Sequence, residues 1–243
     1  MSDHYTIKVR AILGAGRDDA KEVRILNRYV RWKTDGERNW IEYEPDPRHA
    51  ELIVKSLNLE SAKGVTTPSV KKRLEEVLTT FPQLNTIQTR QYRSVVMRAA
   101  YLSQDRPDLS YSTKELARDM QKPTEQSMTN LKRLGRYLKK RPRLVQLFVE
   151  QTSTTNVVRL DVYGDSDHAG CLKTRKSTTG MVLMRDSHCL KVSSHTQSTI
   201  SLSSGESEYY GIVKCAAVGL GARSMLSDFG MCADVVVRTD SSS

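Results

Sequence analysis

From Val157 to Thr239 the chain reads as three strands, a helix and a fourth strand, and three of these elements carry a carboxylate at one end. Val157 to Gly164, Gly180 to Arg185 and Cys189 to Ser194 have strand composition, with Asp186-Ser187 as a tight hairpin turn between the second and third. Ser203 to Leu220 has helical spacing, and Val235 to Thr239 is a short run of strand type. An α/β fold is the class this order implies.

The carboxylates are Asp165 in Tyr163-Gly-Asp165-Ser-Asp167, Glu208 in Ser203-Ser-Gly-Glu-Ser-Glu208-Tyr209, and Asp240 in Arg238-Thr-Asp240. Alternation places Leu160 and Val162 on one strand face and Asp161, Tyr163 and Asp165 on the other, so Asp165 leaves the core at the strand end. Ser203-x-x-Glu206 has the capping-box pattern, which commits Glu206 to the helix start and leaves Glu208 free. Tyr209, Ile212, Val213, Ala216 and Leu220 are the expected buried stripe, with Glu208 at its edge. Asp240 stands at a strand terminus, where α/β sheets present groups to a cleft. Magnesium prefers oxygen ligands in octahedral array, and two ions about 3.5–4 Å apart can stabilise both oxygens of a phosphodiester displacement. Each carboxylate alone reads as a solvated loop group; the three together point to such a site.

Upstream, Tyr5 to Leu13 and Val23 to Lys33 read as strands, and Thr34-Asp-Gly36 turns the chain into Trp40 to Tyr43, an antiparallel ribbon. Asp46-Pro47 opens a helix to Leu57. Ser61 to Pro82 reads as a connector with one short helix. Helices are predicted from Thr89 to Leu102, from Asp108 to Met120 and from Thr124 to Lys140. The polar stretch Gln151 to Asn156 divides residues 1–150 from a second domain, 157–243. A buried-type strand followed only by Ser241-Ser-Ser243 reads as a domain cut short.

The formal net charge of +10 favours a polyanionic partner such as nucleic acid. Lys132, Arg133, Arg136, Lys139, Lys140, Arg141 and Arg143 crowd the end of the third of these helices. They form either a phosphate-tracking surface or a solvated face that complements the helix dipole. The four cysteines show no Cys-x-x-Cys spacing, so neither a zinc site nor a disulfide framework is indicated. No leader opens the chain and no apolar run nears the ~18 residues of a membrane span, so an intracellular, unsecreted protein is expected.

Asp165-Ser-Asp167-His-Ala-Gly-Cys171, Thr174-Arg-Lys-Ser-Thr-Thr-Gly180 and Ser203-Ser-Gly-Glu-Ser-Glu-Tyr209 resemble, in this order, the ribonuclease H domain of Ty1/copia-type retrotransposon polyproteins. Tyr92 to Leu102, Arg106-Pro-Asp-Leu-Ser-Tyr111 and Leu131 to Leu138 resemble the end of the reverse transcriptase and its connection to that domain. The resemblance implies a ribonuclease H-like mixed sheet, truncated at its C-terminal side, preceded by an α+β thumb and connection remnant. No Tyr-x-Asp-Asp polymerase motif is present, and Asp18-Asp19 reads as a turn. By resemblance Asp165, Glu208 and Asp240 hold two Mg2+ ions, with Asp167 a lesser participant, and the RNA strand of an RNA–DNA hybrid is hydrolysed. Arg175 and Lys176 are then either phosphate contacts or parts of a solvated loop. The upstream parts of the polyprotein are implied partners, and a cytoplasmic virus-like particle or the nucleus the location. A catalytically inactive, basic nucleic-acid-binding remnant is the alternative.

Overall fold

The computed structural model describes residues 6, 8–70, 79–151 and 157–240. Its first sheet is antiparallel throughout, in the order β1 (Glu22–Ile25), β2 (Arg28–Thr34), β3 (Asn39–Glu44) and β4 (Gln146–Val149). The stretch Val23 to Lys33 is therefore two strands and not one. Leu26 and Asn27 both take positive φ, 48° and 65°, and close a two-residue hairpin whose twist matches its strands. The strand expected from Tyr5 to Leu13 does not form among the described residues, which show there only an isolated bridge from Leu13 to Ala20. The connector's expected short helix falls largely within residues 71–78, outside the described residues.

Among the described residues four helices build the first apolar core: α1 (Arg48–Ser56), α2 (Thr86–Ser103), α3 (Ser110–Arg118) and α4 (Glu125–Lys140). Helix α2 begins three residues earlier than expected because Asn85 and Gln88 form a capping box, each side chain accepting from the other's backbone N–H. Tyr92, Val96, Ala99, Leu109, Leu131, Leu134 and Leu138 are fully buried between the helices. Gly135 lets the tail after α1 press against α4: a Cβ there would lie 2.6 Å from the Leu59 side chain.

Polar hubs join this core to its surroundings. Asp105 accepts from Arg28 at 2.8 Å and from the Tyr43 hydroxyl at 2.6 Å, while its carbonyl accepts from Gln146, so one loop holds three strands. Arg106, only 1% exposed, forks onto Asp108 and donates to the carbonyls of Arg141 and Pro142. That fork holds Pro107–Leu109 as a 3-10 turn, so the helix expected from Asp108 begins at Ser110.

The second sheet runs β7 (His188–Thr196), β6 (Thr178–Arg185), β5 (Val157–Asp167) and β8 (Cys232–Arg238). The first three are antiparallel, and β8 lies parallel to β5 after the crossover helix α5 (Ser204–Asp228). Leu160, Val162, Met181, Leu183 and Cys215 form the second core. The buried stripe of α5 is Ser207, Glu208, Gly211, Cys215 and Gly219. This corrects the sequence expectation: Tyr209, Val213 and Leu220 are 64%, 50% and 48% exposed. Cβ atoms on Gly211 and Gly219 would meet Ser166 Oγ and Val235 at 2.7 and 2.5 Å. The helix therefore approaches the sheet through its smallest residues and turns bulkier ones outward.

The Asp108 carboxyl is pushed up by burial, but the Arg106 guanidinium and the Tyr137 hydroxyl outweigh this and hold it below the usual range. A carboxylate lowered on folding contributes stability above its unfolded pKa, about 3.9, and loses it as pH falls further. Arg106→Met should cost about 3–5 kcal/mol, the penalty for stranding one partner of a buried pair. Urea denaturation at neutral pH checks the loss, and the same titration near pH 3 should show a smaller one.

Candidate metal centre

Strands β5 and β8 pair in parallel from Val157 opposite Cys232 to Tyr163 opposite Arg238. The same register carried two residues further brings Asp165 beside Asp240, just past the end of β8. Glu208 reaches the same place from the first turns of α5. Ser203 Oγ caps that helix by accepting from Glu206 N–H at 3.1 Å. Glu206 accepts from Leu202 N–H at 2.7 Å and from the Tyr210 hydroxyl at 3.0 Å, so it is committed to the helix start. The reciprocal bond goes to Leu202, not to Ser203 as a strict capping box requires.

Asp165, Glu208 and Asp240 each offer an oxygen, and these oxygens lie within 4.8 Å of one another. Asp165 and Asp240 are exposed, while Glu208 is 9% exposed and accepts from Ser166 N–H at 3.1 Å. Burial raises the Glu208 carboxyl above its ordinary value; Asp165 and Asp240 add to this, and the Ser166 N–H opposes it. Three carboxylates that disfavour one another's charge make a cluster suited to a cation. An octahedral Mg2+ with oxygens at about 2.1 Å spans about 4.2 Å between opposite ligands, so small side-chain adjustments let this donor set fit magnesium.

Asp161 shares a strand face with Asp165 yet stands outside the cluster. Arg238 donates to it at 2.7 Å and Arg159 lies 3.3 Å away. Burial pushes its carboxyl up, and these two guanidiniums outweigh that and hold it low. Asp167 is exposed at the end of β5 and is not one of the three clustered residues.

The cations named from sequence divide into two groups. Arg133 donates to Thr67 Oγ1, Arg136 to the Lys63 carbonyl and Lys139 to the Ala62 carbonyl, so these three staple the connector to α4. Lys132 and Lys140 are exposed. Arg175 is exposed on a loop with φ of 58°, whereas Lys176 donates to the Ser198 carbonyl at 2.5 Å. Arg143 pairs with Glu44, which also accepts from Arg31.

Sequence reasoning did not single out the seam between α3 and the second sheet. Lys114 donates to Thr178 Oγ1 at 3.1 Å, and Arg118 reaches Cys171 Sγ at 2.8 Å. Burial raises the Cys171 thiol, but the Thr174 hydroxyl and the Arg118 guanidinium outweigh it and bring it down to about 7. A cysteine four residues beyond Asp167 carried no signal of this, because Arg118 is 53 positions away.

No protein-family model matches the chain, and no solved structure matches it. An uncharacterized mitochondrial protein of Arabidopsis thaliana is 33% identical over 171 residues, which cover 70% of this chain and 68% of that protein. The retrovirus-related Pol polyproteins of transposons RE1 and RE2 from the same plant are each 30% identical over 174 residues, 72% of this chain. The chain belongs to the copia-type retrotransposon Pol polyprotein family. It spans 11% and 12% of the length of the RE1 and RE2 polyproteins. No described helix is long and apolar enough to cross a membrane.

A carboxyl raised on folding stabilises the protein below its unfolded pKa and loses that contribution as pH rises through the folded value. Without divalent metal, Glu208→Gln should therefore melt higher than the parent at pH 8, by about 2–4 °C if the relief is near 1 kcal/mol. The difference should vanish near pH 4. Thermal melts in chelator at both pH values check it.

Proposed function

We propose that the chain is the part of a Pol polyprotein that carries a ribonuclease H-like domain and hydrolyses the RNA strand of RNA–DNA hybrids with Mg2+. In this reading residues 157–243 form that domain and residues 1–150 derive from the end of the reverse transcriptase and its connection. The observation that carries the reading is the convergence of Asp165, Glu208 and Asp240 within 4.8 Å at one end of a mixed sheet. Membership of the Pol family supports it, since the motifs around the first two carboxylates are those the family resemblance rests on.

Asp165 and Asp240, both exposed, and the more buried Glu208 would hold two Mg2+ ions. When bound, the ions supply Lewis-acid stabilisation of the phosphodiester and lower the pKa of water. The chain's own part is to hold these oxygens together and to keep the cluster anionic: the Arg159 and Arg238 guanidiniums are spent on Asp161. The exposed Lys132, Lys140 and Arg175, within a net charge of +10, would draw the hybrid through its phosphates. Cutting RNA and not DNA requires recognition of the 2′-hydroxyl.

The test is cleavage of an end-labelled RNA–DNA hybrid by the full chain. Mg2+-dependent cleavage that chelator abolishes is expected, and Asp165→Asn should lower the rate by at least about 100-fold, the upper range for loss of a group that merely supports a metal ligand. Hybrid binding should persist in that variant. A parent protein that binds hybrid without cutting it would sink the enzymatic reading and leave a binding remnant.

A further inference from the structure

Beneath the three carboxylates lies a buried polar layer formed by Ser166, Thr179, Ser201 and Ser207, with the side chain of Gln197 at its centre. Gln197 follows β7, and its backbone N–H donates to the Ser177 carbonyl at 2.9 Å. Its Nε2 donates to the Ser207 carbonyl at 2.8 Å and to Thr179 Oγ1 at 3.0 Å, and lies 3.4 Å from Ser166 Oγ. Its Oε1 accepts from Ser201 Oγ at 3.0 Å. A carbonyl can only accept, so the Ser207 carbonyl fixes which end of the amide faces the helix.

The layer touches the chain beside two of the three carboxylates. Ser166 follows Asp165, and Ser207 precedes Glu208. Ser166 Oγ also donates to the Ser207 carbonyl at 3.0 Å, while Ser166 N–H donates to Glu208. One amide thus joins the end of β5 to the first turn of α5. A Cβ on Gly211 would come within 2.7 Å of Ser166 Oγ, so the helix reaches this layer only with glycine there. Satisfied buried polar networks hold one geometry where an apolar filling tolerates several.

We infer that Gln197 is a positioning residue: through Ser166 and Ser207 it sets the separation of Asp165 and Glu208, and with it the affinity of the cluster for divalent cations. The inference rests on the reading that these carboxylates hold metal. The Gln197 side chain bonds to the Ser207 carbonyl, Thr179 and Ser201, and it acts through the backbone that carries two of the ligands.

The test uses the full chain with Gln197→Ala and with Gln197→Met, which keeps the side-chain volume but has no donor for the Ser207 carbonyl. Binding of Mn2+ alone is followed by its paramagnetic resonance signal, and hybrid cleavage is measured against Mg2+ concentration. Both variants should bind Mn2+ about 10–100-fold more weakly and raise the Mg2+ half-saturation by a similar factor. KM for the hybrid at saturating Mg2+ should stay the same. A residue that only supported folding would lower the active fraction and leave the metal half-saturation where it was, and that result overturns the inference alone. If the parent protein binds no Mn2+, the metal-site reading falls and the inference falls with it.

Discussion

Strand β8 lies parallel to β5, and a parallel neighbour cannot be reached by a hairpin; it needs a crossover, which α5 supplies. Much of the second half follows from that pairing. A parallel register puts the ends of β5 and β8 on the same side of the sheet, so the acidic residues that follow each strand become neighbours. The crossover must return across the face that holds Leu160 and Val162, which brings the first turn of α5 to the same end. An antiparallel β8 would have carried Asp240 to the opposite end of the strands.

The close approach of α5 shapes both its faces. Gly164 beside Cys215, Gly211 beside Ser166 and Gly219 beside Val235 leave no room for larger side chains. Bulk is therefore displaced outward to Tyr209, Val213 and Leu220, and the apolar periodicity of the sequence marks the face that the sheet does not cover. The same closeness admits a polar layer at the helix start, where Gln197, the hydroxyls of Ser166, Thr179 and Ser201 and the Ser207 carbonyl satisfy one another. Like charges at Asp165, Glu208 and Asp240 are tolerated at this point because two of them remain exposed and the third keeps a backbone donor.

In the first half, polar anchors attach the sheet to the helices. Asp105 gathers Arg28 and Tyr43, and Arg106 fills a buried space against Asp108 and two carbonyls. The basic run at the end of α4 shows how local composition differs from function in place. Three of its cations are used as donors to the connector and Arg143 pairs with Glu44, which leaves Lys132, Lys140 and Arg141 facing solvent. Formal charge counts them all alike; hydrogen-bond geometry does not.

Element order, most helix and strand positions and the three carboxylates were legible from the sequence, because each rests on short-range chemistry: strand alternation, a Ser-x-x-Glu start, a Pro after an acidic cap. The absence, among the described residues, of the strand expected at Tyr5 to Leu13, the break at Leu26-Asn27 and the inverted face of α5 were not. Alternation alone supplies no partner strand, a leucine at positive φ violates local preference, and an apolar stripe does not say which face the sheet will cover. Sequence by itself determined which residues can bear the chemistry, since a carboxylate at an element's end is a local fact. Tertiary structure alone decided that Asp165, Glu208 and Asp240 meet, that Asp161 pairs with Arg159 and Arg238, and that Gln197 joins Ser166 to Ser207, because those outcomes depend on strand register and on the distance between helix and sheet.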